Sequence, residues 1–419
     1  MIRKVKGTRD ILPPETRLWA AVEEKARSIF GAFGYEEIRL PMMESTELFS
    51  RGVGEGTDIV SKEMYTFNDR KGRSLTLRPE GTAGVARAFI ENGLGQRPQP
   101  LRLSYMGPMF RYEKMQRGRY RQFSQIGIEI LGAASPEADI EVILALHSFL
   151  EALEFDDLTI VLNNLGDPED RNRYIEVLKS SLQAHREELC PDCQRRWTEN
   201  PLRILDCKVR RCQELAAETP PVSEVISEEA AAHVERVERG LKELGIQVRP
   251  APRLVRGLDY YLRTVFEVIS PALGEHAVIC GGGRYDRLIS DLGGPAVPGI
   301  GFAIGEDRLV EVLPESFRHK VLDFFQVAVL PLGEAQRIPA LGLLRELASE
   351  GIQARAEVRG RSMKASLKWA NKIGAAAALI LGDSELEENC VILRDLRQGV
   401  QESVPRAEIL GRLKALFES

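Results

Sequence analysis

No stretch of the 419 residues stays apolar for the ~20 positions that a membrane-crossing helix needs, and residues 375–381 make only a strand-sized run. The opening Met1-Ile2-Arg3-Lys4-Val5-Lys6 is charged rather than apolar, which argues against an ordinary secretory signal. A cytoplasmic location with no membrane partner is the expectation. Cysteine is scarce, and six residues in a chain this long do not suggest a disulfide scaffold. Histidine is scarcer still. His147, His185, His233, His276 and His319 all fall outside the motifs described below, as helix-surface or core residues would. Positive charge is not in excess either. With Lys+Arg 57 against Asp+Glu 62 the net charge is −5, so a nucleic acid would have to be held by local basic patches against the field of the whole molecule. A Gly-Lys-Ser or Gly-Lys-Thr step is absent, which excludes a P-loop nucleotide site. Internal repeats and low-complexity segments are lacking too.

What is present is 43% hydrophobic and 28% charged residues, the balance of a globular protein with ample core, at a length that suits two or three compact units. Leu18, Val22, Ala26 and Ile29 recur at helical spacing and predict a helix over 16–33, followed by a strand over 35–40 that ends at Pro41. Asn68-Asp69-Arg70-Lys71-Gly72 is turn chemistry between two short strands. A helix over 82–92, long strands over 101–112 and 120–131, a helix over 136–153 and a strand over 158–162 come next. From about 168 to 250 the chain turns rich in Glu, Arg, Leu and Ala and reads as a helical insert. Strands return over 265–269, 277–280 and 299–304, before a helix over 306–312. Hairpins dominate, so the first unit is expected to be an α+β domain on a mostly antiparallel sheet. Beyond a linker over 314–323, a β-α-β-α-β order predicts a small, mostly parallel α/β domain. The expected division is 1–322 and 323–419.

Four stretches carry chemistry. Phe110-Arg111-Tyr112-Glu113 opens a loop in which Arg111, Lys114, Arg117, Arg119 and Arg121 face one acid, Glu113, which suits a phosphate-rich ligand. Taken alone the loop is a solvated hairpin tip. The strand after it, however, puts Gln125 and Glu129 on one face by two-residue alternation. Arg256-Gly257-Leu258-Asp259-Tyr260-Tyr261 sets an arginine beside two tyrosines. Cys280-Gly281-Gly282-Gly283-Arg284-Tyr285-Asp286 allows close backbone approach but lacks dinucleotide-site spacing. Gly299-Ile300-Gly301-Phe302-Ala303-Ile304-Gly305-Glu306-Asp307-Arg308 runs from a glycine-bearing strand into a helix. Singly, each is also read as a turn or a strand end.

Together they resemble the class II aminoacyl-tRNA synthetases. Residues 30–41 are similar to motif 1, Arg111 with its neighbours to motif 2, and residues 299–308 to motif 3. The Arg256 and Gly282-Gly283-Arg284-Tyr285-Asp286 stretches resemble the two signatures of the histidyl enzymes. Lys6-Gly7-Thr8-Arg9-Asp10 and Arg78-Pro79-Glu80-Gly81-Thr82 fit the same family. One departure is Leu262-Arg263, where Thr-Gly usually follows the paired tyrosines. The resemblance implies a histidine–tRNA ligase that uses ATP and Mg²⁺, with L-histidine and tRNA(His) as partners, working as a homodimer.

Arg111 and Arg256 are then the expected catalytic residues, one on each side of the α-phosphate. Glu80, Gly81, Thr82, Gln125, Glu129, Tyr260 and Tyr261 are expected to bind histidine. Arg111, Glu113, Phe123 and Arg308 are expected at ATP, and Arg119 with Lys364, Lys368 and Lys372 at tRNA. The three lysines share a helix face opposite Met363, Leu367 and Ala370, which fits an anticodon-binding domain. A basic face by itself is usually just solvated. Cys190, Cys193, Cys207 and Cys212 have spacing plausible for structural zinc. The plainer reading is that they belong to the insert without metal, and zinc is the weaker of the two. The competing functional readings are a synthetase-like regulatory subunit of histidine biosynthesis, which lacks the anticodon domain, and a general RNA-binding protein.

Overall fold

The structure, a computed structural model, describes residues 2–116, 118–274, 278–323 and 326–418. Arg117 of the basic loop, His276, and Ala277 at the expected start of a strand lie outside the described residues. The chain forms two compact units, Met1–Val321 and Leu322–Ser419. No helix of the described residues is long and apolar enough to cross a membrane.

The first unit is built on an eight-stranded sheet. Its order is Glu36–Glu37, Leu101–Phe110, Gln122–Leu131, Gly299–Gly305, Val278–Arg284, Leu262–Ile269, Thr159–Asn164, Val248–Pro250. Every interior pairing is antiparallel, and only the two edge pairings are parallel. The central Gln122–Leu131 strand shows why the sheet has two different faces. Ile126, Ile128 and Ile130 alternate with Gln125, Gly127 and Glu129, so the isoleucines share one side. The helices Glu15–Ala32 and Pro136–Ala152 both pack against this strand. The Phe30 ring packs tilted against Phe149 and edge-on against Phe302, with centroids 5.2 and 6.0 Å apart. The opposite face carries the polar residues.

The strand expected over 35–40 is reduced to Glu36–Glu37, because only these residues pair, in parallel, with Leu103 and Ser104. The strand expected to end at Cys280 runs on through the three glycines to Arg284, since their backbones pair on both sides, with residues 300–303 and with 262–267. The predicted hairpin forms as Tyr65–Asn68 and Ser74–Leu77. Its turn is closed by the Asp69 carboxylate, which accepts the Lys71 and Arg73 backbone N–H groups at 2.8 and 2.9 Å. The insert is helical: Pro168–Leu182, Pro191–Glu199, Arg210–Ala217 and Glu228–Glu243. Its last residues, Val248–Pro250, rejoin the main sheet as an edge strand.

The second unit has a five-stranded sheet of its own. Val327–Pro331 pairs in parallel with Ala354–Ala356 and Ala377–Leu381, as the alternating order predicts. The unit is nonetheless mixed rather than mostly parallel, because Cys390–Asp395 and Gln401–Pro405 add an antiparallel hairpin. In the helix Met363–Lys372, Lys364, Lys368 and Lys372 are exposed, while Met363, Leu367 and Ala370 pack inward.

Candidate active site

Glu129 is the centre of the polar face. It is fully buried, and its carboxylate accepts hydrogen bonds from Thr82 Oγ1 at 2.7 Å, Tyr285 OH at 2.5 Å and Tyr105 OH at 3.4 Å. Burial pushes its pKa up to about 8, against the pull of the Tyr285 and Thr82 hydrogen bonds. Space for the carboxylate depends on Gly301, which pairs with Glu129 across the strands. A Cβ there would lie 1.7 Å from Glu129 Oε2, so no side chain fits.

Earlier on the same strand and face, Gln125 is buried, and its Oε1 has no hydrogen-bond partner among the described residues. A buried acceptor without a partner is costly unless a ligand supplies the donor. Glu80 is also buried, and its carboxylate accepts the Thr82 and Ala83 N–H groups at 2.7 and 2.9 Å. It thereby closes the N-terminus of the helix Thr82–Glu91, whose N-cap is Gly81. Burial raises its pKa in spite of those bonds. Tyr260 OH donates to Glu80 at 3.4 Å, and Tyr260 sits 4.6 Å from Tyr261 and 5.7 Å from Tyr285, centroid to centroid. Burial holds the Tyr261 phenol at about 12, despite Arg256 nearby. Glu80, Thr82, Glu129 and Tyr260 thus form one connected cluster. Tyr285 and Tyr105, which sequence reasoning did not place at Glu129, complete it. The only signal for Tyr285 was its position in the glycine-rich signature. Arg284 beside it serves the fold: fully buried, it pairs with Asp139, with Asp286 at 3.0 Å, and with the Ala133 carbonyl at 2.9 Å.

The expected phosphate side splits into two groups. Arg111 donates to the Pro79 carbonyl at 2.8 Å and lies 5.4 Å from the Phe123 ring centroid. Glu113 bridges Arg111 and Arg119 at 3.7 and 3.2 Å. Arg121 is turned away onto Tyr112, 3.6 Å from the ring centroid. Arg308 donates to the Val278 carbonyl, and burial, with Arg119 nearby, lowers its pKa. In the loop before the strand Leu262–Ile269, Arg256 pairs with Glu267 and lies 5.8 Å from the Tyr261 centroid, while its Nε has no partner among the described residues. Its guanidinium lies flat on Gly281, where a Cβ would come within 2.0 Å of Nη2. That close approach gives the first of the three consecutive glycines a physical reason. Arg9 donates to Asp307, the neighbour of Arg308, at 3.1 Å and to Glu15 at 2.8 Å.

The departure at Leu262-Arg263 keeps a glycine-like backbone: Arg263 has φ +46°. Its guanidinium forks onto Asp167 at 2.7 and 2.9 Å and reaches Glu229 at 2.7 Å, both residues of the insert. Lys364, Lys368 and Lys372 belong to the other unit. The four cysteines of the insert, two near-neighbour pairs in the sequence, bring their sulfur atoms within 4.8 Å of one another.

A family model described as histidyl-tRNA synthetase matches residues 7–309, and one described as anticodon binding domain matches residues 326–416. A histidine–tRNA ligase of Desulforudis audaxviator is 47% identical over 415 residues, covering 99% of both chains. One of Solibacter usitatus is 47% identical over 416 residues, again covering 99% of each. The crystal structure of apo Staphylococcus aureus histidyl-tRNA synthetase superposes with a TM-score of 0.82 at 35% identity, covering 98% of this chain and 99% of that one.

Proposed function

The chain belongs to the histidyl-tRNA synthetase family and is a histidine–tRNA ligase, and from its geometry we propose which residues carry the reaction. It activates L-histidine with ATP to histidyl-adenylate and transfers the histidyl group to the 3′ end of tRNA(His). The observation that carries the residue assignment is the buried Glu129–Thr82–Tyr285 cluster beside the unpartnered Gln125 oxygen. In this reading Glu129 meets one imidazole nitrogen and Tyr261, with Tyr260 beside it, brackets the ring. Gln125 Oε1 accepts from the substrate's ammonium group, with Glu80, Gly81 and Thr82 forming the wall behind. A site that pairs with both ends of histidine rejects apolar analogues strongly, because they leave its buried polar groups unpaired.

ATP is taken as its Mg²⁺ complex, the ion neutralising phosphate charge. Phe123 stacks on the adenine, and Glu113 and Arg308 fix the nucleotide. The histidine carboxylate attacks the α-phosphorus, and the bond to pyrophosphate breaks. No enzymic base is needed, because the nucleophile is already an anion. The protein supplies alignment and positive charge, with Arg111 on one side and Arg256 on the other. Planar, permanently charged guanidinium groups suit that task. Glu267 and Gly281 hold Arg256 in place, so it needs little reorganisation as charge develops. In the second half-reaction a hydroxyl of the tRNA 3′ end attacks the carbonyl carbon and AMP leaves. The exposed Arg119 guides the acceptor end, and Lys364, Lys368 and Lys372 contact anticodon-side phosphates. We assign catalysis to residues 1–322 and anticodon binding to 323–419. We also assign a homodimer. The motif 1 resemblance supports it, as do Met42 and Met43, 52% and 54% exposed just beyond the Glu36–Glu37 edge strand.

Histidine-dependent pyrophosphate exchange tests the catalytic assignment. Arg256→Ala should lower the exchange rate by ~10²-fold or more with the fold intact. Near-normal exchange by a folded variant removes Arg256 from the reaction.

A further inference from the structure

The four clustered cysteines come from three short segments of the insert. Cys190 is the N-cap of the helix Pro191–Glu199, and Cys193 lies in its first turn. Cys207 follows the 3₁₀ turn Pro201–Ile204, and Cys212 lies in the first turn of Arg210–Ala217. All four are free thiols, three of them buried. The Cys190 and Cys207 sulfur atoms are 3.8 Å apart, and no pair exceeds 4.8 Å. A tetrahedron of thiolates at the Zn–S bond length of ~2.3 Å has edges of ~3.8 Å. The backbone N–H of Cys190 donates to Cys212 Sγ at 3.3 Å, and that of Val209 to Cys207 Sγ at 3.4 Å. Such N–H donors support anionic sulfur.

Four thiols used only as small apolar side chains have no reason to converge on one point. The surrounding segment, 183–227, consists of short helical pieces, the kind of structure that needs a staple beyond its own core. An iron–sulfur cluster would hold the cysteines further apart, because its own sulfides lie between the irons.

The residues enclosed between the two cysteine pairs reach the proposed active-site loop. Asn200 Nδ2 donates to Asp259 Oδ1 at 2.6 Å. Arg196 and Arg203 both pair with Asp58, at 2.9 and 3.3 Å. Asp259 N in turn donates to the Val53 carbonyl at 3.1 Å. Asp259 lies between Arg256 and the Tyr260-Tyr261 pair, so whatever fixes Asn200 also fixes their loop.

We propose that Cys190, Cys193, Cys207 and Cys212 bind one zinc ion in a tetrahedral thiolate site, and that this knuckle positions the Arg256–Tyr261 loop through Asn200 and Asp259. The first clause is independent of the assigned reaction; the second rests on the histidine-site reading above. Zinc does no chemistry on the substrate, and the four cysteines and Asn200 are positioning residues.

The full-length chain, purified without chelators, should carry about one zinc per chain by elemental mass spectrometry. Exchange to Co²⁺ should give the intense visible bands and sulfur-to-metal charge transfer of a tetrahedral thiolate site. Cys193→Ser combined with Cys212→Ser should abolish both signals. Should that variant not fold, the Co²⁺ spectrum of the unaltered chain decides alone. A chain that takes up no stoichiometric zinc when supplied with it, or that holds the cysteines as two disulfides, overturns the site. Asn200→Ala, with zinc still bound, should raise the KM for histidine by roughly tenfold and leave that for ATP nearly unchanged. An Asn200→Ala chain with zinc bound and an unaltered KM for histidine overturns the positioning role and leaves the metal site standing.

Discussion

Glu129→Gln replaces the titrating carboxyl of the proposed histidine pocket with a non-titrating group of almost the same shape, and the pH dependence of histidine binding then reports the role of that carboxyl. Burial pushes the Glu129 carboxyl up to about 8, whereas free imidazole titrates at roughly 6.5. Between those values the free carboxyl carries a proton and the free imidazole carries none. The bound pair shares that single proton, so no proton is taken up or released on binding. Below ~6.5 the two groups hold two protons and one must leave. Above 8 they hold none, and one must be taken up. Histidine affinity should therefore peak between ~6.5 and ~8 and fall about tenfold per pH unit on either side. Glutamine does not titrate, so the variant should lose the alkaline limb that begins near 8 and keep the acid limb set by the ligand. Deprotonation of the substrate's own ammonium group affects both proteins equally and cancels in the comparison. At the plateau the lost charge-assisted hydrogen bond, ~1.5–3 kcal/mol, should weaken histidine binding by roughly 10- to 150-fold. The KM for ATP should change little. Titration calorimetry across pH, paired with pyrophosphate-exchange kinetics, measures all of this. A variant that retains the limb near 8, or that loses histidine and ATP affinity equally, would refute the assignment.

Gly281→Ala should leave the melting temperature nearly unchanged but lower pyrophosphate exchange by ~10²-fold, because the added methyl displaces the movable end of Arg256 rather than the backbone. At position 263, Arg263→Ala should be less stable than Arg263→Gly by about 1 kcal/mol in chemical denaturation. Both lose the fork onto Asp167, but only glycine relieves the left-handed backbone at φ +46°; the reverse order would mean that the strain is absent. Deleting the chain from residue 323 should spare adenylation and sharply reduce tRNA charging, and each of Lys364→Ala, Lys368→Ala and Lys372→Ala should lower the salt slope of tRNA binding by about 1; wild-type charging by the truncated chain would exclude the anticodon role. Light scattering of the purified chain should give the mass of a dimer; a monomer at assay concentration contradicts the motif 1 reading.

Much of the site was legible in the sequence wherever the information is local. Two-residue alternation puts Gln125 and Glu129 on one face whatever surrounds the strand, and four-residue spacing puts Lys364, Lys368 and Lys372 on one face of their helix. Turn chemistry fixed the hairpin at Asp69, and compositional change marked the insert. What sequence alone misjudged depended on partners far along the chain. The strand through Gly281, Gly282 and Gly283 exists because backbones on both sides pair with it, and glycines give no strand signal of their own. The C-terminal hairpin turns a parallel sheet into a mixed one through two further strands that no alternating β-α order announces.

Only the tertiary structure decided which residues meet. Tyr285 reaches Glu129 across 156 positions of sequence, and that contact, with the burial it brings, sets the carboxyl's proton affinity. Gly301 was legible as part of a motif, but its reason, room for the Glu129 carboxylate, is a distance between strands. The spacing of Cys190, Cys193, Cys207 and Cys212 left metal and plain packing both open, and convergence of the sulfur atoms within 4.8 Å is a property of the folded insert. Local periodicity determines which way a side chain points along its own element. Burial, register and long-range contact determine what it points at, and those are set by the whole chain.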